Sequence, residues 1–194
     1  MKILNVYGSS IDGSSAAIAK RFIEKAGQLG AEIQSISFKG VTINSCKKCM
    51  SCKTTTDKCV IQDYIMTVFD SLVKCDVLVL STGVYSGDVA GNMHIIESRL
   101  FSLLKPDYET NPHPSRLPPG KKLVFIQTQG GSEEWHVDIY QRFKLLFKKL
   151  GFNDIFVIHA CNVDQPFDIT DDIMKLAEDI AERILHSWKN RGHA

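Results

Sequence analysis

Asp76-Val77-Leu78-Val79-Leu80-Ser81-Thr82-Gly83-Val84-Tyr85-Ser86-Gly87 opens as the most strand-like run in a chain of 194 residues and closes in small and polar ones. The four aliphatic residues from Val77 to Leu80 read as a buried strand, and the glycines and serines after it read as a loop. The same pattern repeats on both sides. Upstream, Tyr64–Lys74 places Ile65, Val68, Phe69 and Leu72 at helical spacing, Glu32–Phe38 alternates like a strand near a sheet edge, and Ser14–Leu29 puts Ile18, Phe22, Ala26 and Leu29 on one helical face. Lys2–Tyr7 is the first strand. Downstream, Ala90–Leu104 reads as a helix, and Lys105–Gly120 holds five of the six prolines and reads as a loop. Leu123–Gln127, Glu133–Leu150, Asp154–Ala160 and Asp171–Trp188 complete a strand–helix–strand–helix series, with Asp171 and Asp172 at the positive end of the last helix.

Five strands joined by helical crossovers predict an α/β fold of three layers, a parallel sheet with helices on both faces. For five strands the expected order is the flavodoxin-like 2-1-3-4-5. Ligands then sit beyond the carboxyl ends of strands one and three, where the order reverses. With no internal repeat and no linker, the chain reads as one domain over residues 1–194, carrying a cysteine-rich loop at 44–60.

Composition narrows the function. The chain is 44% hydrophobic and 23% charged, with a formal net charge of +1. No lysine or arginine block is dense enough to follow a phosphate backbone, so no nucleic-acid partner is expected. The apolar run before Gly8 is too short for a signal-peptide core, and no stretch approaches the roughly 20 apolar residues of a membrane span. The expected setting is cytoplasmic without membrane contact, and the six cysteines are then thiols, metal ligands or redox groups.

The loop after strand one, Gly8-Ser9-Ser10-Ile11-Asp12-Gly13-Ser14-Ser15, runs straight into a helix. Unpaired N–H groups at the helix start, supplemented by four serine hydroxyls, make a phosphate cradle. The dipole alone contributes roughly 0.3–1 kcal/mol, so hydrogen bonds must carry the binding. The spacing matches neither G-x-G-x-x-G nor a Walker loop, which favours a monophosphate. The alternative is an ordinary serine- and glycine-rich helix cap.

Continuing from Thr82, the segment through Val89, Gly91, Asn92, Met93 and Arg99 resembles the S-P-V-Y-F-G-S-V-S-G-Q-L-K-A-F-I-D-R signature of NAD(P)H-dependent FMN reductases. Val84, Tyr85, Gly87, Val89, Gly91 and Arg99 fall in register. Gly83 stands where proline is usual, Ser86 replaces an aromatic residue, His94 a lysine and Ser98 an aspartate. The first loop is similar to that family's G-S-P-R-x-x-G-N-S/T segment. The resemblance implies that Ser9, Ser10, Ser14 and Ser15 hold the FMN phosphate. It further implies that Thr82, Gly83, Val84, Tyr85, Ser86 and Gly87 border the isoalloxazine ring, and that Thr128, Gln129 and Gly130 form its last ring-binding segment.

Cys46, Cys49, Cys52 and Cys59 give the spacing C-x2-C-x2-C-x6-C. Two-residue gaps let thiolates converge on one centre, and a compact run of four suits a [4Fe–4S] cluster. Zinc sites more often add a second cysteine pair about 12–20 residues away, and free or redox-active thiols are the other alternative. The run also resembles that of the iron–sulfur flavoproteins, a branch of the same family. That likeness makes the four cysteines ligands and implies homo-oligomers, dimeric or tetrameric. Cys75 and Cys161 read as buried small residues. The histidines at 94, 113, 136, 159, 186 and 193 show no metal-ligand spacing.

The expected activity is FMN-dependent NAD(P)H oxidation, passing electrons to a small-molecule or protein acceptor, with no catalytic triad required. An FMN electron carrier or redox sensor without its own nicotinamide turnover is the rival reading. A response-regulator receiver would need an aspartate at the end of strand three, where Ser81-Thr82 stand, and an acidic pair after strand one, where Gly8-Ser9 stand; a low-molecular-weight phosphatase would need a cysteine–arginine loop after strand one, which the sequence lacks.

Overall fold

A computed structural model of the chain describes residues 1–190; His193 lies outside them. The order is β1 (Lys2–Tyr7), α1 (Ser14–Gln28), β2 (Glu32–Ser37), a short α2 (Ser51–Thr54), α3 (Ile65–Lys74), β3 (Val77–Tyr85), β4 (Asp88–Val89), α4 (Gly91–Leu100), β5 (Lys122–Thr128), α5 (Val137–Lys149), β6 (Asp154–Ala160) and α6 (Asp171–Lys189). The sheet runs β2-β1-β3-β5-β6, all parallel, with β4 attached to β3. Apart from β4 this is the order expected from the sequence.

Strand alternation divides the core in two. Ile3, Val77, Val79, Val124 and Ile126 face α1 and α6, where Ala16, Ala19, Ala177 and Ala181 bring the two helices close. Leu4, Val6, Leu78, Leu80, Leu123 and Phe125 face the opposite side, under Phe69, Met93, Ile96, Phe143 and Phe147. β3 and β5 are therefore buried on both faces, which is why their sequences carry no polar alternation. β2 lies at the edge and is largely exposed, as its alternating sequence implies.

The structure revises three boundaries. β3 continues past Ser81 to Tyr85, and Ser86-Gly87 then turns it into a hairpin in which Val84 pairs with Val89 and Tyr85 with Asp88. Both turn residues have positive φ, 51° and 88°, the geometry of a two-residue loop matched to strand twist. The predicted helix 133–150 starts only at Val137, because His136 takes a left-handed conformation at φ 56°. The helix expected to run to Leu104 ends at Leu100 in a turn of 3-10 helix.

Candidate functional site

β1, β2 and β3 end side by side, and the segments leaving them enclose a cleft of about 520 Å³. Its walls are Gly8–Asp12 after β1, Ser37–Lys39 after β2, Tyr85 at the hairpin and Ala90–Asn92 at the start of α4. Gly8 makes this convergence sterically possible. Its N–H donates to the Ser81 carbonyl at 2.8 Å, and a Cβ there would stand 2.3 Å from Met93 Cε and 3.1 Å from Ser81 O. Beyond it, the Asp12 N–H donates to Ser10 Oγ at 3.2 Å, forming a tight turn into α1.

The two helices on this face of the sheet begin differently. α6 is capped by Thr170, whose Oγ1 accepts from the Ile173 N–H at 3.4 Å, and carries Asp171 and Asp172 in its first turn. α1 follows Gly13, has no side-chain cap and no acid in its first turn. Its leading N–H groups and its positive dipole end are thus left for an anion from outside the helix.

The serines expected at the phosphate are gathered here. Ser9 and Ser10 line the cleft, while Ser14 and Ser15 are buried behind them. Ser9 Oγ lies 3.1 Å from Ser15 Oγ and accepts the Gly83 N–H at 3.3 Å, tying the first loop to β3. On β3 the Thr82 hydroxyl donates to Gly83 O at 2.9 Å and accepts the Ala90 N–H at 3.1 Å, so it latches the hairpin to α4. Val84 is half-buried at the paired end of the hairpin. Tyr85 is 57% exposed, and its ring lies so close over Gly83 that a Cβ there would meet it at 3.1 Å. Arg142 of α5 holds the hairpin from the side, with Nη2 2.7 Å from Asp88 Oδ1 and Nε 3.0 Å from Glu97 Oε1.

Thr128, Gln129 and Gly130 lie at the end of β5, one strand further along, and are not part of this cleft. The Gln129 side chain is buried and turned inward: its Nε2 donates to Ser132 O at 2.7 Å and Trp135 O at 2.9 Å, and its Oε1 lies 2.9 Å from His159 Nε2. Burial pushes the His159 pKa down and the Cys161 thiol up. Cys161 is half-buried, not enclosed as its sequence context suggested; Cys75 is enclosed, and burial raises it to about 11. Ser37, Phe38 and Lys39 are cleft residues that motif reading passed over, and Ala90–Asn92, which lie within the matched segment, were given no role there. The signal for the first three was available, since β2 is the neighbour of β1 in the expected order.

The cysteine loop is the second chemical feature. Cys46, Cys49, Cys52 and Cys59 are all unpaired and together line one small cavity of about 50 Å³. Among the described residues no three His, Cys, Asp or Glu side chains form a group that could hold a metal ion. Lys48 and Met50, on either side of Cys49, both have left-handed backbones, φ 52° and 59°, a cost of order 1 kcal/mol each for residues with a Cβ. Donors surround the sulfurs: the Lys48 N–H points to Cys46 Sγ at 3.4 Å, and Lys53 Nζ lies 3.7 Å from Cys52 Sγ. A hydrogen bond from the Ser51 hydroxyl holds the exposed Cys49 thiol below its ordinary pKa.

Three cations fasten the loop. Arg99 of α4 is 1% exposed; its Nη1 donates to Asn44 O and to both Asp63 oxygens at 3.0–3.1 Å, and its Nη2 to Ile61 O at 2.8 Å. Lys53 Nζ donates to Phe101 O at 2.6 Å and Leu104 O at 2.7 Å, and Arg116 Nη2 to Cys52 O at 2.8 Å. Burial alone would raise the Asp63 pKa, but the Asn44 N–H and Arg99 outweigh it and hold the carboxyl below its usual range.

Comparison with known proteins finds relatives in sequence and in fold. An iron–sulfur flavoprotein of Methanocaldococcus jannaschii is 27% identical over 107 residues, covering 54% of this chain and 52% of that protein. One from Archaeoglobus fulgidus is 30% identical over 91 residues, covering 47% and 44%. The chain thus spans about half the length of the curated relatives it matches. Among solved structures, an FMN-dependent NADH-azoreductase from Bacillus anthracis in complex with FMN superposes with a TM-score of 0.69 at 18% identity, over 95% of this chain and 98% of that one, and so shares the fold. The sequence model of the NADPH-dependent FMN reductase family matches residues 1–159, and the chain belongs to that family.

Proposed function

We propose that this protein is an FMN-dependent NAD(P)H oxidoreductase that passes electrons through flavin to a small-molecule or protein acceptor. The observation that carries this reading is the cleft at the ends of β1, β2 and β3, into which an uncapped helix and serine hydroxyls converge. Its volume falls within the roughly 300–1,000 Å³ of cofactor sites. The residues fit FMN: Ser9, Ser10, Ser14, Ser15 and the first N–H groups of α1 suit a dianionic monophosphate, with Lys39 adding positive charge at the β2 side. Thr82–Gly87 would border the ring, Tyr85 supplying an exposed aromatic face at the hairpin. Thr128–Gly130 would reach the ring only from its far side, since they stand one strand beyond the cleft. When bound, FMN supplies hydride acceptance and release of electrons singly or in pairs.

The chain's own work is positional. The Ser9–Gly83 hydrogen bond and the Thr82 latch fix the first loop against the hairpin, so donors are in place before the ligand arrives. Arg142 holds the hairpin to α4 and α5. None of these side chains has to take or give a proton.

The same proposal includes a [4Fe–4S] cluster on Cys46, Cys49, Cys52 and Cys59. Supporting it are four thiols around one cavity, N–H and ammonium donors beside the sulfurs, and relatives named iron–sulfur flavoproteins. Sulfurs spread around a cavity suit a multi-atom group better than a lone zinc ion, which needs all four about 2.3 Å away. A homodimer or homotetramer and a cytoplasmic setting belong to the same reading, the latter supported by six unpaired cysteines.

Anaerobic absorption spectra with iron and sulfide assays, followed by NADH and NADPH oxidation with FMN or ferricyanide as acceptor, test the whole. Flavin bands with turnover support it. Flavin bands without turnover by either donor favour the electron-carrier reading, and reconstituted protein with no affinity for FMN overturns both.

A further inference from the structure

Arg99 is an unusual arginine because it is both fully enclosed and incompletely satisfied. Its relative exposure is 1%, its terminal nitrogens are committed to Asn44, Ile61, Asp63 and the Met66 sulfur, and its Nε–H has no partner among the described residues. Leaving a donor of a charged group buried and unpaired costs about 1–3 kcal/mol or more, so an arginine serving only as a loop fastener would be a poor choice. The side chain is not hidden at random. It lines the same small cavity as the four cysteines, together with Ile61 and Phe101.

The bonds it does make explain its position. Asn44 O lies just before the cysteine run, and Ile61 O and Asp63 just after it, so one planar guanidinium grips both ends of the loop. Asp63 is held ionised by the same contacts and by the Asn44 N–H, which balances the arginine's charge. With both ends fixed by the terminal nitrogens, Nε is the donor left over, on a side chain that lines the cavity where the sulfurs gather.

We propose that Arg99 is a positioning and potential-setting residue for the cysteine-bound cluster: it fastens the loop through its terminal nitrogens and donates its Nε–H to a sulfur of the occupied site. This rests on the cluster assignment made above. A hydrogen bond from a cation to sulfur favours the more negative, reduced state of the cluster and raises its reduction potential. Lysine at the same place keeps the charge and can still meet Asp63, but has no Nε–H in a planar fork.

The test uses the full chain, reconstituted anaerobically with ferrous iron and sulfide. Wild type and Arg99→Lys are compared for iron and sulfide content, FMN content, EPR-monitored midpoint potential, and hyperfine coupling of the reduced cluster in protein labelled with 15N-arginine. The expected result is full cluster and FMN loading in both, a more negative midpoint in Arg99→Lys, and a 15N coupling present in wild type and absent from the variant. Should Arg99→Lys load poorly, the 15N coupling decides by its persistence in Arg116→Lys, since Arg116 is the other arginine bonded to the loop, at Cys52 O. A loaded wild type without that coupling overturns the proposal while leaving the cluster. A wild type that takes up no iron or sulfide yet binds FMN overturns the cluster and this inference with it.

Discussion

Gly8 and Gly130 show how the same steric count leads to opposite expectations. A Cβ at Gly8 meets Met93, wholly enclosed, and the backbone carbonyl of Ser81; neither neighbour has room to withdraw. Gly8→Ala should cost about 1–3 kcal/mol in urea unfolding, the usual penalty of overpacking, and weaken FMN binding. At Gly130 the clash is with the carboxylate of Asp164, an exposed side chain that can rotate, and Gly130→Ala should change stability by under about 1 kcal/mol. Ser9→Ala removes the hydroxyl that pairs with Ser15 Oγ and accepts the Gly83 N–H, and should raise the FMN dissociation constant by about ten-fold or more, read by fluorescence quenching. Cys75 offers a pH test. Its pKa is about 11 folded against an ordinary 9.0, so the unfolded chain loses that proton first as pH rises. The stability it contributes is complete below pH 9 and is lost between pH 9 and 11. Wild type should therefore lose more stability than Cys75→Ala across that window, and parallel unfolding curves would contradict it.

Among the elements, the β3–β4 hairpin depends on contacts outside itself. Two residues of β4 give too few ladder bonds to stand alone, and the Thr82 latch and Arg142 complete them. Arg142→Gln should speed amide exchange at Val84–Val89 with little effect on global unfolding, because half-exposed ion pairs contribute at most about 1 kcal/mol. Exchange unchanged in that segment would show that Arg142 does not hold it. This hairpin also marks where sequence legibility ended. Val77–Leu80 announced a buried strand, but Thr82-Gly83 looked like loop because small polar residues rarely extend a core strand. What prolongs it is pairing with Gln127 and Thr128 of β5, a partner some 45 residues away that local pattern cannot name. The cysteine loop divides the same way. Its spacing was plain, whereas its fastening by Arg99, Lys53 and Arg116 joins residues 36 to 64 apart.

For the molecule as a whole, strand order was legible because alternation of strands and helices leaves few right-handed, doubly covered arrangements. The place of the loop after β1 on the cleft followed from it. Lys39 could have followed too, through the expected pairing of β1 and β2, although no motif singles it out. Because four separate stretches of chain build the cleft, FMN should stabilise the entire fold: at one hundred times its dissociation constant, the gain is about 2.7 kcal/mol, seen as a rise in melting temperature that grows with FMN concentration.

α4 connects the two chemical features. Its first residues border the cleft, and Arg99, near its last turn, borders the thiol cavity. Ten residues at 1.5 Å each make it a rod about 15 Å long. Its length therefore fixes the separation and the angular phase of the two places at once. One extra residue would turn Arg99 by about 100° and break its grip on the loop, whereas a full extra turn would nearly restore the phase and only widen the gap.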